Sequence, residues 1–350
     1  MDKKFKQEIQ AEVLSPMFSC GNKVEIIKNG YKKEIKKGIP EIRTTEVKGL
    51  MRYIYRIAST EKSSQELLKK EGTIFGKSED MASPICIQMS GNIGQLKEDY
   101  LRYKTDDFKD IKDKDKIIKN KSITMGTTFT ITLRCFKNNT FYNLENYRDL
   151  LELSLILGGI GRRARRGRGC MATSFSKSKN IEELKQWITN KLNFLNMNSL
   201  KEEKAEDANT IDVKGTNQYI LKNNIIFGPR CFQEKLYKRP VIEKIVFGNE
   251  LCRQYKNVTK EQAIKSFLIT VDDASHVIKN EKKFLYATGH ISSKKSGRDN
   301  FSSSVIVTLV EAKDGIYPVY IFLKAVYHRR IMDNYKEEQE HFFDLINGRG

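Results

Sequence analysis

Close pairs of metal-ligating residues are absent from this sequence. Its six cysteines are scattered without a Cys-x-x-Cys pair, and none of its four histidines has a partner at a metal-binding spacing. Structural zinc sites need such close pairs. We therefore expect no metal site and no cofactor, and we interpret most of the cysteines as small buried thiols among apolar neighbours.

Long apolar runs are absent as well. No segment is apolar for the length that a bilayer requires, and no signal-peptide core follows the N-terminal residues 1–7. We therefore expect a cytoplasmic protein that does not contact a membrane. Hydrophobic residues make up 39% of the 350 positions, enough for two domains with real cores, so the composition argues against a disordered chain.

Negative charge is scarce relative to positive charge. The chain has 44 acidic residues against 63 lysines and arginines, a net charge of +19. An excess of this size favours a nucleic acid as the partner, with an anionic membrane surface as the second choice.

Glycine and arginine are concentrated in residues 158–169, which we call the Gly/Arg loop. Five glycines and five arginines fall in these twelve positions, between a predicted core helix and a predicted strand at 169–175. Glycine lets the backbone approach a ligand closely, and one arginine guanidinium can donate hydrogen bonds to two phosphate oxygens at once. The predicted RNA-binding residues of the loop are Gly159, Gly161, Arg162, Arg163, Arg165, Arg166 and Arg168.

Two simpler interpretations of the Gly/Arg loop remain open. One glycine and one arginine could cap the preceding helix, or the loop could be basic and solvated with no partner. Capping leaves most of the arginines unexplained, so the excess of arginine favours anion binding. A nucleotide P-loop is excluded because the Gly-Lys-Ser/Thr ending is missing.

A second basic group belongs to a predicted helix near the N-terminus. Pro40 precedes this helix, Thr44 or Thr45 is a candidate cap, and apolar residues recur from Val47 to Ile57 at the 3.6-residue period. Basic residues four positions apart form a stripe on another face of the helix, and one more arginine precedes it. A solvated face is the alternative to an RNA-binding role for this group, which comprises Arg43, Lys48, Arg52 and Arg56.

A third basic group lies in the predicted loop 289–300. Its lysines and arginine, Lys294, Lys295 and Arg298, suit contacts to a nucleic acid backbone. An exposed loop without a role is the alternative. His290 in the same loop is the best candidate for acid–base chemistry, although one histidine is weak evidence.

The order of predicted elements defines the fold class. The first half is predicted as β-α-β-β-α-β, with a charged insertion at 97–121 and a polar linker at 196–215. The second half is predicted to hold a helix ending near 246–248 and a hairpin at Asp314-Gly315. We therefore predict an α+β protein of two tandem ferredoxin-like (RRM-like, βαββαβ) domains with antiparallel sheets and insertions, at 1–200 and 201–350.

Three of these segments together resemble the RAMP superfamily of CRISPR RNA-binding proteins. The Gly/Arg loop looks like the glycine-rich loop of a RAMP domain. Residues 40–43 with 48–56 are similar to the first-helix signature of one branch, subunit one of the type III-B (Cmr) effector complex. Phe75-Gly76 and residues 82–85 also resemble that branch. Tyr53 and Tyr55 stand where tryptophan-like aromatics are common in it.

The resemblance implies two tandem ferredoxin-like domains and a non-catalytic role near the 3′ end of a guide RNA. The implied partners are guide RNA (crRNA), target RNA and other protein subunits of the complex. One alternative is a metal-independent RAMP-type endoribonuclease that processes guide precursors, which would need a general acid and base near the scissile phosphate. Another is a basic scaffold that contacts only proteins.

Overall fold

The computed structural model describes most of the chain. The residues described are 6–19, 24–28, 32–36, 40–61, 63–77, 81–91, 96–100, 119–135, 143–200, 218–231, 239–256, 258–280, 287–289, 302–324 and 335–348. Within these ranges, no helix combines the length and the apolar character needed to cross a membrane.

The first half is built on a four-stranded antiparallel sheet. Its strands are β1 (Lys6–Val13), β4 (Ile85–Ser90), β7 (Thr128–Cys135) and β8 (Met171–Thr173), in the spatial order β4-β7-β1-β8. Two separate antiparallel pairs are formed by β2 (Val24–Lys28) with β3 (Lys32–Lys36) and by β5 (Leu96–Tyr100) with β6 (Lys119–Ile123). The first and third strands of the large sheet, β1 and β7, lie at its centre and the second and fourth lie at its edges, as in a ferredoxin-like βαββαβ unit.

Five helices in the described residues belong to the first half. They are α1 (Thr44–Ala58), α2 (Ser64–Phe75), α3 (Leu144–Leu157), α4 (Ser174–Ser178) and α5 (Ile181–Leu200). Of these, α1 and α3 pack on the sheet of the first half. Of the α1 residues predicted to face the core, Val47, Met51, Ile54 and Ile57 are buried, whereas Leu50 is half-buried. The α3 helix is buried almost all round because it lies between the sheet, α1 and α5.

The second half contains a five-stranded antiparallel sheet. Its strands, in spatial order, are β12 (Val305–Ala312), β13 (Gly315–Lys324), β11 (Val241–Phe247), β10 (Ile225–Phe227) and β9 (Ile220–Lys222). The helices of this half are α6 (Leu251–Gln254), α7 (Lys260–Asn280) and α8 (Tyr335–Ile346). The β9–β10 hairpin, which precedes β11, lies beside β11 where a ferredoxin-like unit would have its last strand.

The mixed α+β class with antiparallel sheets is confirmed, and the hairpin predicted at Asp314-Gly315 joins β12 to β13. Two predicted elements are wrong. The segment ending near 246–248 is strand β11 rather than a helix, because its β-branched residues form a central strand. The strand predicted at 169–175 ends at Thr173, whose hydroxyl accepts a hydrogen bond from the Ser176 N–H and caps α4.

The start of α1 also differs from the prediction. Arg43 occupies the N-cap position, and no side-chain hydrogen bond caps the helix there, so neither Thr44 nor Thr45 serves as the cap.

The two halves pack closely on each other. The Tyr219 hydroxyl donates to the Ala58 carbonyl oxygen at 2.9 Å, and Arg239 donates to the Ser59 carbonyl oxygen at 2.6 Å, so the second half binds the C-terminal end of α1. On α5, the Lys185 ammonium donates to Asn224 at 2.6 Å.

A carboxyl group is buried inside the first half. Glu152 on α3 is 4% exposed, and burial raises its pKa to about 7, although the Thr173 hydroxyl donates to it at 2.5 Å. Because the folded protein holds this proton more tightly than the unfolded chain does, the associated stability is present below pH 4.5 and is lost as the pH rises through about 7.

We expect Glu152→Gln to reduce that loss. Between pH 5 and pH 8, the free energy of unfolding should fall by about 2 kcal/mol more in the wild-type protein than in the variant, at about 1.4 kcal/mol per unit of pKa shift. Urea unfolding at each pH measures this difference. Parallel pH profiles for the two proteins would contradict the buried-carboxyl explanation.

Candidate nucleic-acid interface

One face of α1 and the Gly/Arg loop enclose a cavity of about 450 Å³, which we call the α1 groove. The α1 residues that line it follow the helical period, so they share one face of the helix. Arg43, at the N-terminal end of α1, lines the groove, and the Gly/Arg loop contributes Arg162 and Arg165 to the lining. The helix contributes Glu46, Gly49, Leu50, Tyr53 and Ile54 to the lining.

The glycines of the loop allow the chain to pack closely on itself. Gly161 has φ +91, and a Cβ added to it would lie 2.8 Å from the Phe18 carbonyl group. A Cβ on Gly159 would lie 2.5 Å from the Arg168 carbonyl oxygen. Both glycines line the α1 groove, and local packing accounts for the absence of a side chain at each position. Their RNA-binding role stays a prediction.

Two arginines of the loop reach the α1 groove. Arg162 is exposed, and its backbone N–H donates to the Phe18 carbonyl oxygen at 3.0 Å. Arg165 is half-buried and donates to the Ser303 carbonyl oxygen at 2.7 Å, while its guanidinium lies 4.8 Å from the centre of the Tyr53 ring. The groove therefore presents positive charge next to an aromatic ring, which suits an RNA strand.

The loop backbone also pairs with the second sheet. The Gly167 N–H donates to the Val307 carbonyl oxygen at 2.8 Å, and the Val307 N–H donates to the Arg165 carbonyl oxygen at 3.2 Å. These bonds occupy the outer edge of β12, so the loop extends the second sheet and ties it to the first half.

The RNA-binding role predicted for Arg168 is wrong, and Arg163 forms an ion pair with the same carboxylate as Arg168. Arg168 is 0% exposed and pairs with Asp272 on α7 at 2.8 Å. Arg163, which has φ +61, pairs with the other oxygen of the same carboxylate. A fully buried guanidinium that is bound to a buried carboxylate cannot contact a strand in solvent.

The RNA-binding role predicted for Arg166 is also wrong. Its side chain is 6% exposed and donates to Ser303 Oγ at 2.9 Å, to the Val305 carbonyl oxygen and to the Ala287 carbonyl oxygen. Its guanidinium lies 4.8 Å from the centre of the Phe342 ring. Burial, together with repulsion from Arg163, lowers its pKa to about 9, so it stays charged at neutral pH.

A family model matches the first half of the chain. Residues 10–172, from β1 to β8 and including the Gly/Arg loop, match the family model described as the RAMP superfamily. The first half of this chain is therefore similar to a RAMP domain. No curated protein matches the sequence.

Solved structures resemble the whole chain. Cmr1 from Pyrococcus furiosus in its apo form is similar with a TM-score of 0.53 and 16% identity, over 99% of this chain and 97% of that chain. A chain of the type III-B Cmr-beta bound to cognate target RNA and AMPPnP, in the presence of ssDNA, is similar with a TM-score of 0.53 and 13% identity, over 99% of this chain and 100% of that chain. A further structure of Cmr-beta bound to cognate target RNA has a TM-score of 0.52 and 13% identity, over 98% of this chain and 100% of that chain. At these identities the similarity shows the fold.

In the basic stripe on α1, Arg52 and Arg56 face α2, and none of the three stripe residues lines the α1 groove. Arg56 forms a two-pronged hydrogen bond with the buried Glu71, and Arg52 lies 3.6 Å from the same carboxylate. Lys48 donates to Ser83 Oγ at 2.6 Å, and burial together with repulsion from Arg52 lowers its pKa. The contacts of Arg52 and Arg56 attach α1 to α2, and that of Lys48 attaches α1 to the segment before β4. The structure therefore gives the stripe a packing role.

The basic loop of the second half falls outside the described residues. Lys294, Lys295, Arg298 and His290 all belong to it, so their roles stay predictions. Among the described residues, no group of three or more histidine, cysteine, aspartate or glutamate side chains could hold a metal ion.

Sequence reasoning missed the two buried carboxylates that bind these arginines. Asp272 and Glu71 each occupy a core-facing position of a helix, spaced three or four residues from buried apolar positions such as Leu268 and Leu67. An acidic residue in the apolar stripe of a helix was the available signal, because a charge in that place must be paired.

Proposed function

We propose that this protein is a non-catalytic RNA-binding subunit of a type III-B CRISPR–Cas effector complex. It binds the guide RNA, at its 3′ region and at the end of the guide–target duplex, in antiviral defence. The RAMP domain and the whole-chain fold similarity to Cmr1 support this proposal. The observation that carries it is the α1 groove, where Arg43, Arg162 and Arg165 surround a cavity beside Tyr53.

The proposal includes the partners and the organisation of the chain. Other protein subunits of the complex and the target RNA are its partners, and the cytoplasm is its location. Residues 1–200 form the RAMP domain, and residues 201–350 form a second, divergent ferredoxin-like domain. The Cmr-beta structures, which contain cognate target RNA, support the choice of RNA as the ligand.

We expect the double variant Arg43→Ala/Arg162→Ala to bind single-stranded RNA more weakly than the wild-type protein. If each arginine binds one phosphate, the slope of log K against log salt should shrink by roughly 0.7 for each phosphate released, about 1.4 in total. Fluorescence anisotropy across a salt series measures both quantities. The labelled RNA should stay full length in the presence of chelator, since the proposed role is non-catalytic.

The control removes two exposed cations that do not line the α1 groove. Arg253 lies on α6 and Lys265 lies on α7, so Arg253→Ala/Lys265→Ala removes the same net charge elsewhere on the surface. Its salt slope should stay close to that of the wild-type protein. Equal weakening in the two double variants would mean that net charge, and not the α1 groove, determines RNA binding.

A further inference from the structure

We infer that the α1 groove receives one unpaired nucleobase of the RNA strand, while Arg43 and Arg162 at its rim bind the flanking phosphates. This inference rests on the proposed function and specifies which part of the RNA enters the cavity. Three observations carry it: the apolar lining of the groove, an unexplained glycine in α1, and a carboxylate among the lining residues.

The lining of the α1 groove is too apolar for a phosphate. Most of the lining side chains are aliphatic, namely Leu50, Ile54, Leu157, Ile160 and Ile306; Leu50 is half-buried there, and the other four are nearly fully buried. Phosphate oxygens lose hydration in such surroundings, whereas the faces of a nucleobase gain from contact with apolar and aromatic groups. A cavity of about 450 Å³ also falls in the range of sites that enclose small organic groups.

Gly49 provides the second observation. It lies in the middle of α1, where glycine is less favourable than alanine by roughly 0.5–1 kcal/mol. No neighbour requires it, because a Cβ added at Gly49 would meet nothing within 4 Å. The missing side chain therefore has no packing explanation, and its effect is to keep the wall of the α1 groove open.

Glu46 provides the third observation. Its carboxylate lines the α1 groove, where Arg43 binds one of its oxygens at 2.7 Å and Ser19 binds the other. A carboxylate that Arg43 already neutralises gives a phosphate no binding group inside the cavity, but its remaining lone pairs can accept hydrogen bonds from the amino groups of a base. The guanidinium of Arg165, held over the Tyr53 ring, offers a flat cationic surface for stacking.

The first test separates bases from phosphates. A short single-stranded RNA is compared with a ribose-phosphate strand of the same length that lacks all its bases, and with a blunt duplex of the same RNA. We expect the full chain to bind the single strand about tenfold more tightly than the abasic strand, the size of the effect of stacking one base on an aromatic ring. The bases of the duplex are already stacked and paired, so the protein should also bind the duplex about tenfold more weakly than the single strand.

The second test fills the cavity with Gly49→Leu. The new side chain extends from α1 into the α1 groove without meeting a neighbour at its Cβ, so the fold should be preserved. We expect this variant to bind the single strand and the abasic strand equally, at the level that the wild-type protein shows for the abasic strand. Gly72→Ala on α2, outside the groove and with only an ordinary contact at its Cβ, controls for helix stabilisation and should behave as wild type.

Each outcome decides one question. Equal wild-type binding of the abasic and normal strands would overturn the base-binding inference and leave RNA binding intact. Unchanged discrimination in Gly49→Leu would likewise overturn it, since the base would then bind elsewhere. If the wild-type protein bound none of the three nucleic acids, the proposed function itself would fail.

Discussion

Replacing Asp272 by asparagine should destabilise the protein by about 3–5 kcal/mol. The Asp272 carboxylate is 0% exposed and holds Arg163 and Arg168, the second of which is also 0% exposed. Asparagine keeps the shape of the side chain but removes the charge, so two guanidinium groups would remain without their counterion. Because the two arginines belong to the first half and Asp272 to the second, the variant also weakens the contact between the halves.

Urea unfolding followed by circular dichroism measures this destabilisation. Glu340→Gln is the matched control, because Glu340 also pairs with a cation, Lys244, but its side chain is 50% exposed. Water screens such a pair, so the control should change the free energy of unfolding by less than about 1 kcal/mol. Similar small effects in both variants would show that Asp272 does not hold the two halves together.

Gly169→Ala should cost about 2–5 kcal/mol, the sum of a backbone cost and a steric cost. Gly169 has φ +65, and a Cβ there would lie 1.9 Å from the Ile160 carbonyl oxygen, a backbone atom that cannot rotate away. The left-handed backbone costs about 1–2 kcal/mol for alanine, and the overlap adds about 1–3 kcal/mol. Hydrogen bonds hold the residue in place, since Gly169 donates to Pro16 at 3.1 Å and accepts from Ile160 at 3.0 Å.

Gly348 separates the two contributions. It has φ +67, almost the same backbone conformation, but a Cβ added there meets nothing within 4 Å. Gly348→Ala should therefore show only the backbone cost of about 1–2 kcal/mol. If Gly169→Ala cost no more than Gly348→Ala in the same thermal or urea unfolding experiment, the close packing of the Gly/Arg loop would not be rigid.

These contacts determine which variants report on RNA binding. Changing all the arginines of the Gly/Arg loop would remove the partners of Asp272 and Ser303 together with the exposed charges. Such a protein would bind RNA poorly because its structure is disrupted as well as because phosphate-binding groups are missing. Arg43 and Arg162, which are exposed at the groove, separate the two effects.

The framework of the first half and two of the arginines that line the candidate site could be predicted from the amino-acid sequence. The apolar period from Val47 to Ile57 defined the buried face of α1, because a helix that packs on a sheet must repeat its apolar residues at its own turn. The density of glycine and arginine marked the Gly/Arg loop, and Arg43 and Arg162 do meet in one groove. Local composition and periodicity carry this information, so no tertiary contact was needed to obtain it.

Which cations are available to a ligand depends instead on the tertiary fold. Arg166 and Arg168 look like Arg162 in the sequence, but their partners Ser303 and Asp272 are more than 100 residues away along the chain. Arg52 and Arg56 of the stripe likewise meet Glu71 because α2 folds back along α1. A loop has no periodicity that marks its inner side, so the burial of its charges depends on distant segments that only folding brings together.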